Sequence, residues 1–333
     1  MRRVRLSAAI LVAASLVLAG CGDDDKPSDD SPAAQEIEGG STLDSTWPIT
    51  GLPVEGDDSA AQEHPVMVTK IDNTDSSAPQ IGLGSADMVV EELVEGGLTR
   101  LAVFFYSDLP HEVGPVRSMR ASDIGIVSPV HASIVTSGAA GGTIARIKGA
   151  DIPFFQEGAK GIYRDSGRSA PYNVFANLEQ IASGIDQDER RPDDYLPWGD
   201  AADLPKGQKA TTIAASFGGH ATNWEFKNGS YDNLNTHAAD GDEFPADTVL
   251  VLRVKVGDAG YLDPAGNPVP ETKLEGKGEA MLFHDGRLVR GQWSKNGLDG
   301  QLTLSTRAGA LTVPAGHTWI ELIPAANGNV TFK

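Results

Sequence analysis

The stretch Ala86-Asp87-Met88-Val89-Val90-Glu91-Glu92-Leu93-Val94-Glu95-Gly96-Gly97-Leu98-Thr99-Arg100-Leu101-Ala102-Val103-Phe104-Phe105-Tyr106 decides the fold. Its second half, Thr99 to Tyr106, is almost wholly apolar and carries three aromatic residues, the composition of a buried strand. Its first half, Ala86 to Val94, reads as a neighbouring strand, and Gly96-Gly97 breaks the chain between them. Working upstream, Pro65 to Ile71 predicts a strand that stops at an Asp72-Asn73 turn. Working downstream, Ser118 to Val127 predicts a helix, opened by the Gly114-Pro115 turn and stopped by Pro129. His131 to Thr136 predicts another strand, and Thr143 to Lys148 another helix. Strands alternating with short helices imply a layered α/β arrangement.

Beyond residue 215 the pattern changes to short β-runs: Thr222–Phe226, Thr248–Val256, Glu279–His284, Leu288–Trp293, Leu302–Thr306 and Thr318–Ile323. His284-Asp285-Gly286-Arg287 predicts a hairpin, because Asp-Gly accepts the positive φ values of a type I′ turn. The chain as a whole predicts an α+β fold. An N-terminal α/β layered domain spans 46–182, a connection spans 183–215, and a smaller, mainly antiparallel β domain spans 216–333.

The first 21 residues have a different character. Arg2, Arg3 and Arg5 form a basic start, Leu6 to Leu18 an apolar stretch, and Leu18-Ala19-Gly20-Cys21 places small residues before a thiol. That order marks a secretory leader with a lipidation site at Cys21. Cys21 is the sole cysteine, so no disulfide within the chain is available. Residues 22–45, rich in Asp, Ser, Pro and Gly, lack the bulky apolar residues that would offset ordering entropy, and predict a disordered acidic tether. The expected location is extracytoplasmic, on the outer face of the cytoplasmic membrane, held there by lipid on Cys21.

The chain carries 27 basic residues against 46 acidic ones, and the leader holds three of the basic ones. A field of that sign repels nucleic acid and anionic headgroups, so no nucleic-acid partner is expected and the membrane must be reached through covalent lipid. Hydrophobic content of 40% and charged content of 22% are ordinary for a globular protein with a proper core.

In so acidic a chain, arginine clusters need partners. Gly114-Pro115-Val116-Arg117-Ser118-Met119-Arg120 places two arginines three apart. If Ser118 opens a helix, Arg117 and Arg120 converge beside free backbone N–H groups, an arrangement suited to phosphate or carboxylate. The alternative is that both pair with Glu91, Glu92 or Glu95 as buttressing. A loop from Arg164 to Asn173 adds Arg164, Arg168 and Asn173, and its folding over the first pair would form one anion pocket. Asp87, Glu91 and Glu92 are the candidate catalytic acids. On a strand, however, Glu91 and Glu92 point to opposite faces. The seven histidines show no metal-ligand spacing, and no Walker or GxGxxG pattern occurs, so neither metal nor cofactor is expected.

Several stretches together resemble the YerB-type bacterial lipoproteins, the DUF3048 family. These are WPITGLP at 47–53, IDN at 71–73, residues 86–105, GPVRSMR at 114–120 and RSAPYNVFAN at 168–177. They continue with GKGEAMLFHDGRLVRGQW at 276–293 and GHTWIELIP at 316–324. The resemblance implies an N-terminal and a C-terminal family domain but no settled reaction. The chain departs from the pattern at Tyr172, where histidine is expected before the Asn, and around Tyr231-Asp232-Asn233, where relatives tend to carry arginine. The order of strand, turn, strand and Arg-rich turn also resembles that of the LytR-CpsA-Psr phosphotransferases.

The expectation is therefore a binding or accessory lipoprotein of the cell envelope. Arg117, Arg120, Arg164, Arg168 and Asn173 would meet an anionic cell-wall precursor or polymer, and an envelope protein is a candidate partner. The alternatives are a wall-modifying hydrolase or phosphotransferase using an acidic base, and a purely structural docking protein.

Overall fold

The computed structural model describes residues 45–333, apart from 57 and 264–265. The leader, Cys21 and nearly all of the expected tether lie outside the described residues. Described residues fall in one compact unit.

Three strands form the centre: β1 (Met67–Asp72), β2 (Met88–Leu93) and β3 (Thr99–Phe105). β3 lies between β1 and β2 and is antiparallel to both. The turn from β2 to β3 holds Gly96 and Gly97 at φ of 69° and 76°, conformations that glycine adopts without penalty. Strand alternation sorts the side chains. Val68, Val90, Ala102 and Phe104 enter one core, while Met67, Val89, Leu101, Val103 and Phe105 enter a second on the opposite face. With cores on both sides, every residue of β3 is buried, which is why the sequence there reads as an unbroken apolar run.

The sheet does not end with the N-terminal half. Thr318–Pro324 pairs in parallel with β2, and Thr248–Leu262 pairs in parallel with Thr318–Pro324. Gly276–His284, Arg287–Lys295 and Leu302–Thr306 then add antiparallel strands on that side. On the far side of β1 lie β4 (Ser133–Val135) and Phe154–Phe155, both parallel. The result is a 13-stranded mixed sheet. A second sheet of four strands, Thr212–Ser216, Ala221–Lys227, Ser230–Asn233 and Asn329–Phe332, covers one face.

Strand accounts for 42% of the structure and helix for 12%, so the expected α/β layering is corrected to a dominant mixed sheet with few helices. The largest difference is at Ser118–Val127. Only α1 (Asp123–Val127) is helical there. The residues before it bond elsewhere: the Met119 N–H donates to Gly138 O and Thr136 Oγ1, and Ser118 O accepts from Arg100 and Arg120. Those bonds leave no i→i−4 ladder for 118–120. The second helix forms three residues longer than expected, as α2 (Gly141–Gly149). The Asp285-Gly286 hairpin forms with φ of 48° and 65°.

Candidate functional site

Register brings charge to one end of the central strands. Asp72 on β1, Arg100 on β3 and Glu92 on β2 stand side by side in one row across the sheet. Lys70, two residues before Asp72, lies on the same face. The segment Pro115–Arg117 continues along the edge of β1 that β4 leaves free: Arg117 N–H donates to Lys70 O, and Asp72 N–H donates to Pro115 O. Arg117 is thereby delivered to this row by backbone pairing, while the Arg120 N–H donates to Asp123 Oδ2 at the start of α1.

Each charged group has a defined setting. Lys70 Nζ lies 2.7 Å from both Glu92 Oε1 and Asp123 Oδ1, and all three side chains are inaccessible to solvent. Burial, with Asp123 nearby, pushes the Glu92 carboxyl above its ordinary value despite Lys70. Arg120 grips Glu95 through two hydrogen bonds of 2.7 Å. Burial opposes the Glu95 charge, but Arg120 outweighs it and holds Glu95 below the usual carboxylate range. Arg117 Nε donates to Asp72 at 3.0 Å, and its guanidinium lies 5.2 Å from the Tyr172 ring centre. Its side chain is 22% exposed.

Arg100 is the residue that sequence reasoning missed as a site candidate. It is 6% exposed and donates to Ser118 O, while its Nε has no hydrogen-bond partner. Burial, then the charges of Arg120 and Arg117, lower its pKa to about 10. The available signal was a lone cation inside an otherwise apolar strand.

The loop 164–173 does fold against Arg117, whose Nη1 donates to Pro171 O. It does not bring four unpaired cations together. Arg164 is held by Glu157 through two hydrogen bonds and donates to Asn173 Oδ1. Arg168 faces Asp165, donates to Ser77 O and Pro79 O, and lies 4.8 Å from the Phe175 ring centre.

The three acidic candidates are in three different settings. Asp87 accepts from Tyr106 N, Ser107 N and Ser107 Oγ, where it closes the exit of β3. Burial raises its pKa against those bonds. Glu92 belongs to the Lys70 group. Glu91 faces the opposite core, where Asn73 and Thr222 donate to it, and His220 Nε2 lies 3.3 Å away. Among the described residues no group of three or more His, Cys, Asp or Glu is arranged to hold a metal ion. No helix among them is long and apolar enough to cross a membrane.

Comparison with known proteins adds the following. Residues 49–191 match a family described as "Protein of unknown function (DUF3048) N-terminal domain", and residues 211–320 match its C-terminal domain. The chain is 24% identical over 295 residues to "Putative lipoprotein YerB" of Bacillus subtilis (strain 168), covering 83% of this chain and 86% of that protein. The crystal structure of YerB protein from Bacillus subtilis superposes with a TM-score of 0.70 at 19% identity, over 86% of this chain and 99% of that one. At that identity the likeness establishes the fold alone.

Proposed function

Because the chain belongs to the DUF3048 family, with both its N-terminal and its C-terminal domain, we propose that it is a lipoprotein of the cell envelope that binds an anionic ligand at the Arg100–Arg117–Arg120 cluster. Cys21 would carry the lipid and hold the folded part outside the cytoplasmic membrane. The likeness to a lipoprotein and the order of charge, apolar stretch and thiol at residues 2–21 support that location. The protein would act as a binding or accessory component for an anionic cell-wall precursor or polymer.

One observation carries the ligand class: three guanidiniums within electrostatic range, one of them buried with an unsatisfied Nε. A buried unpaired donor costs about 1–3 kcal/mol, so the arrangement favours an acceptor that reaches it. Arg117, half-buried, is the most open of the three, and a ligand would arrive through it. The acidic candidates give less support to a hydrolase or phosphotransferase, since each is already bonded in a different part of the fold.

Native mass spectrometry of the full lipidated chain, extracted in mild detergent from its own host, tests this reading. An anionic mass should accompany the wild type and be lost from Arg117→Ala, whose affinity should fall by about 1.5–3 kcal/mol. Equal retention by the variant would remove Arg117 from the proposed role.

A further inference from the structure

On the face opposite the arginine cluster, two glutamates meet where the two halves of the chain join. Glu91 on β2 and Glu321 on Thr318–Pro324 are register partners on adjacent parallel strands. Adjacent strands lie about 4.8 Å apart, so side chains at matched positions on one face touch. Both residues are fully buried.

Their hydrogen bonds are unequal. Glu91 is satisfied as an acceptor: Asn73 Nδ2 at 3.1 Å and His220 Nε2 at 3.3 Å face Oε1, and Thr222 Oγ1 donates to Oε2 at 2.8 Å. Glu321 Oε1 accepts from Trp224 Nε1 at 3.0 Å, but Oε2 finds no donor at all. Its neighbour across the ladder is Glu91, the register partner on the adjacent parallel strand, equally buried. Two carboxylates cannot bond there without a proton between them.

We infer that Glu91 and Glu321 share one proton, carried on Glu321 and donated to ionised Glu91, and that this proton fastens β2 to the C-terminal half of the sheet. It supplies the bond that Oε2 lacks. Burial, with the charge of Glu91 adding to it, raises the Glu321 carboxyl well above its ordinary value, in keeping with that state.

The surrounding elements hold few charges to compete. Around Glu91, Asn73 and Thr99 are neutral. The covering sheet contributes Thr222, Trp224 and His220. Burial works against the charged imidazole of His220, but the bond and charge of Glu91 outweigh it and raise its pKa, with exposed Asp75 adding to the effect. His237 sits 3.8 Å from Asp75, further out. On the remaining neighbour of Glu321, Thr248–Leu262, Arg253 lies two residues beyond the register partner Val251 and is bonded to Ala325 O and Gly328 O. His220, with its side chain 17% exposed, is the partly open member of the group and offers a route to solvent.

The consequence is a pH-sensitive fastening between the halves. Glu321 has a folded pKa above its unfolded one, so its contribution is fully present below the unfolded value near 4.5 and is lost as pH rises through the folded value. Deprotonation leaves two charges at matched buried positions.

The test uses the full chain in neutral detergent and two variants, Glu321→Gln and Glu91→Gln. Infrared spectra of the wild type should show the carbonyl stretch of a protonated carboxylic acid, and Glu321→Gln should remove intensity from that band. As pH rises above the unfolded value near 4.5, the folding equilibrium of the wild type should weaken relative to Glu321→Gln, about tenfold for each unit by which the folded pKa is displaced. Identical pH profiles for wild type and variant, or an unchanged acid band, overturn the inference. Should Glu321→Gln fail to fold, Glu91→Gln must shift the frequency of the same band, because it changes the group that accepts the Glu321 proton, and an unshifted band overturns the inference. Should neither fold, a wild type with no acid band near neutral pH overturns it as well.

Discussion

At the scale of single residues, the charged row beneath the central strands behaves as a set of interlocked pairs. Lys70 serves two acids, Glu92 and Asp123, in a site with no solvent. Removing one partner of a buried ion pair leaves uncompensated charge and costs about 3–5 kcal/mol. Lys70→Met should therefore destabilise the protein by about that amount in urea titration, while Lys277→Met, at an exposed position, should cost under about 0.5 kcal/mol. The opposition of Glu91 and Glu92 followed from period-two alternation and was legible in the sequence. The identity of their partners was not. Thr222 and Glu321 reach Glu91 from 131 and 230 positions away, and no local pattern encodes such a meeting.

At the scale of elements, legibility tracked how local the decisive interactions are. The three central strands appear within two residues of their expected bounds, because a buried strand must carry apolar residues along its length. The Asp285-Gly286 turn was readable for a similar reason: two consecutive positive φ values restrict the residues that fit. Gly286→Ala should cost about 1–2 kcal/mol, since left-handed backbone penalises any Cβ and this one would come 2.9 Å from Phe226. A lowered thermal midpoint with unchanged secondary structure would bear this out. Ser118–Val127 misled because its helix-compatible residues are claimed by distant partners, Gly138, Thr136 and Arg100, before a helix can start. The strands Thr212–Ser216, Ser230–Asn233, Pro268–Lys273 and Asn329–Phe332 are short or polar and drew no expectation. They exist because neighbouring strands offer them hydrogen bonds.

At the scale of the molecule, the sheet runs through both family domains, with β2 seated directly against Thr318–Pro324. A fragment covering 46–215 would expose one whole edge of β2 and leave Glu91 without Thr222 or Glu321. Exposed, apolar strand edges pair with other chains. That fragment should be insoluble or unfolded, whereas the full chain should unfold in one transition with coincident fluorescence and far-ultraviolet signals. A soluble fragment with dispersed amide resonances would contradict this. By itself the sequence determined the central strands, the hairpin turn, the family and the opposed glutamates, all of which depend on residues close in the chain or on composition. Only the tertiary structure decided that one sheet unites the halves, that Arg100 joins Arg117 and Arg120, and that Glu91 meets Glu321. Those outcomes depend on which strand edges find each other, and edge pairing is made by backbone groups that every residue carries alike.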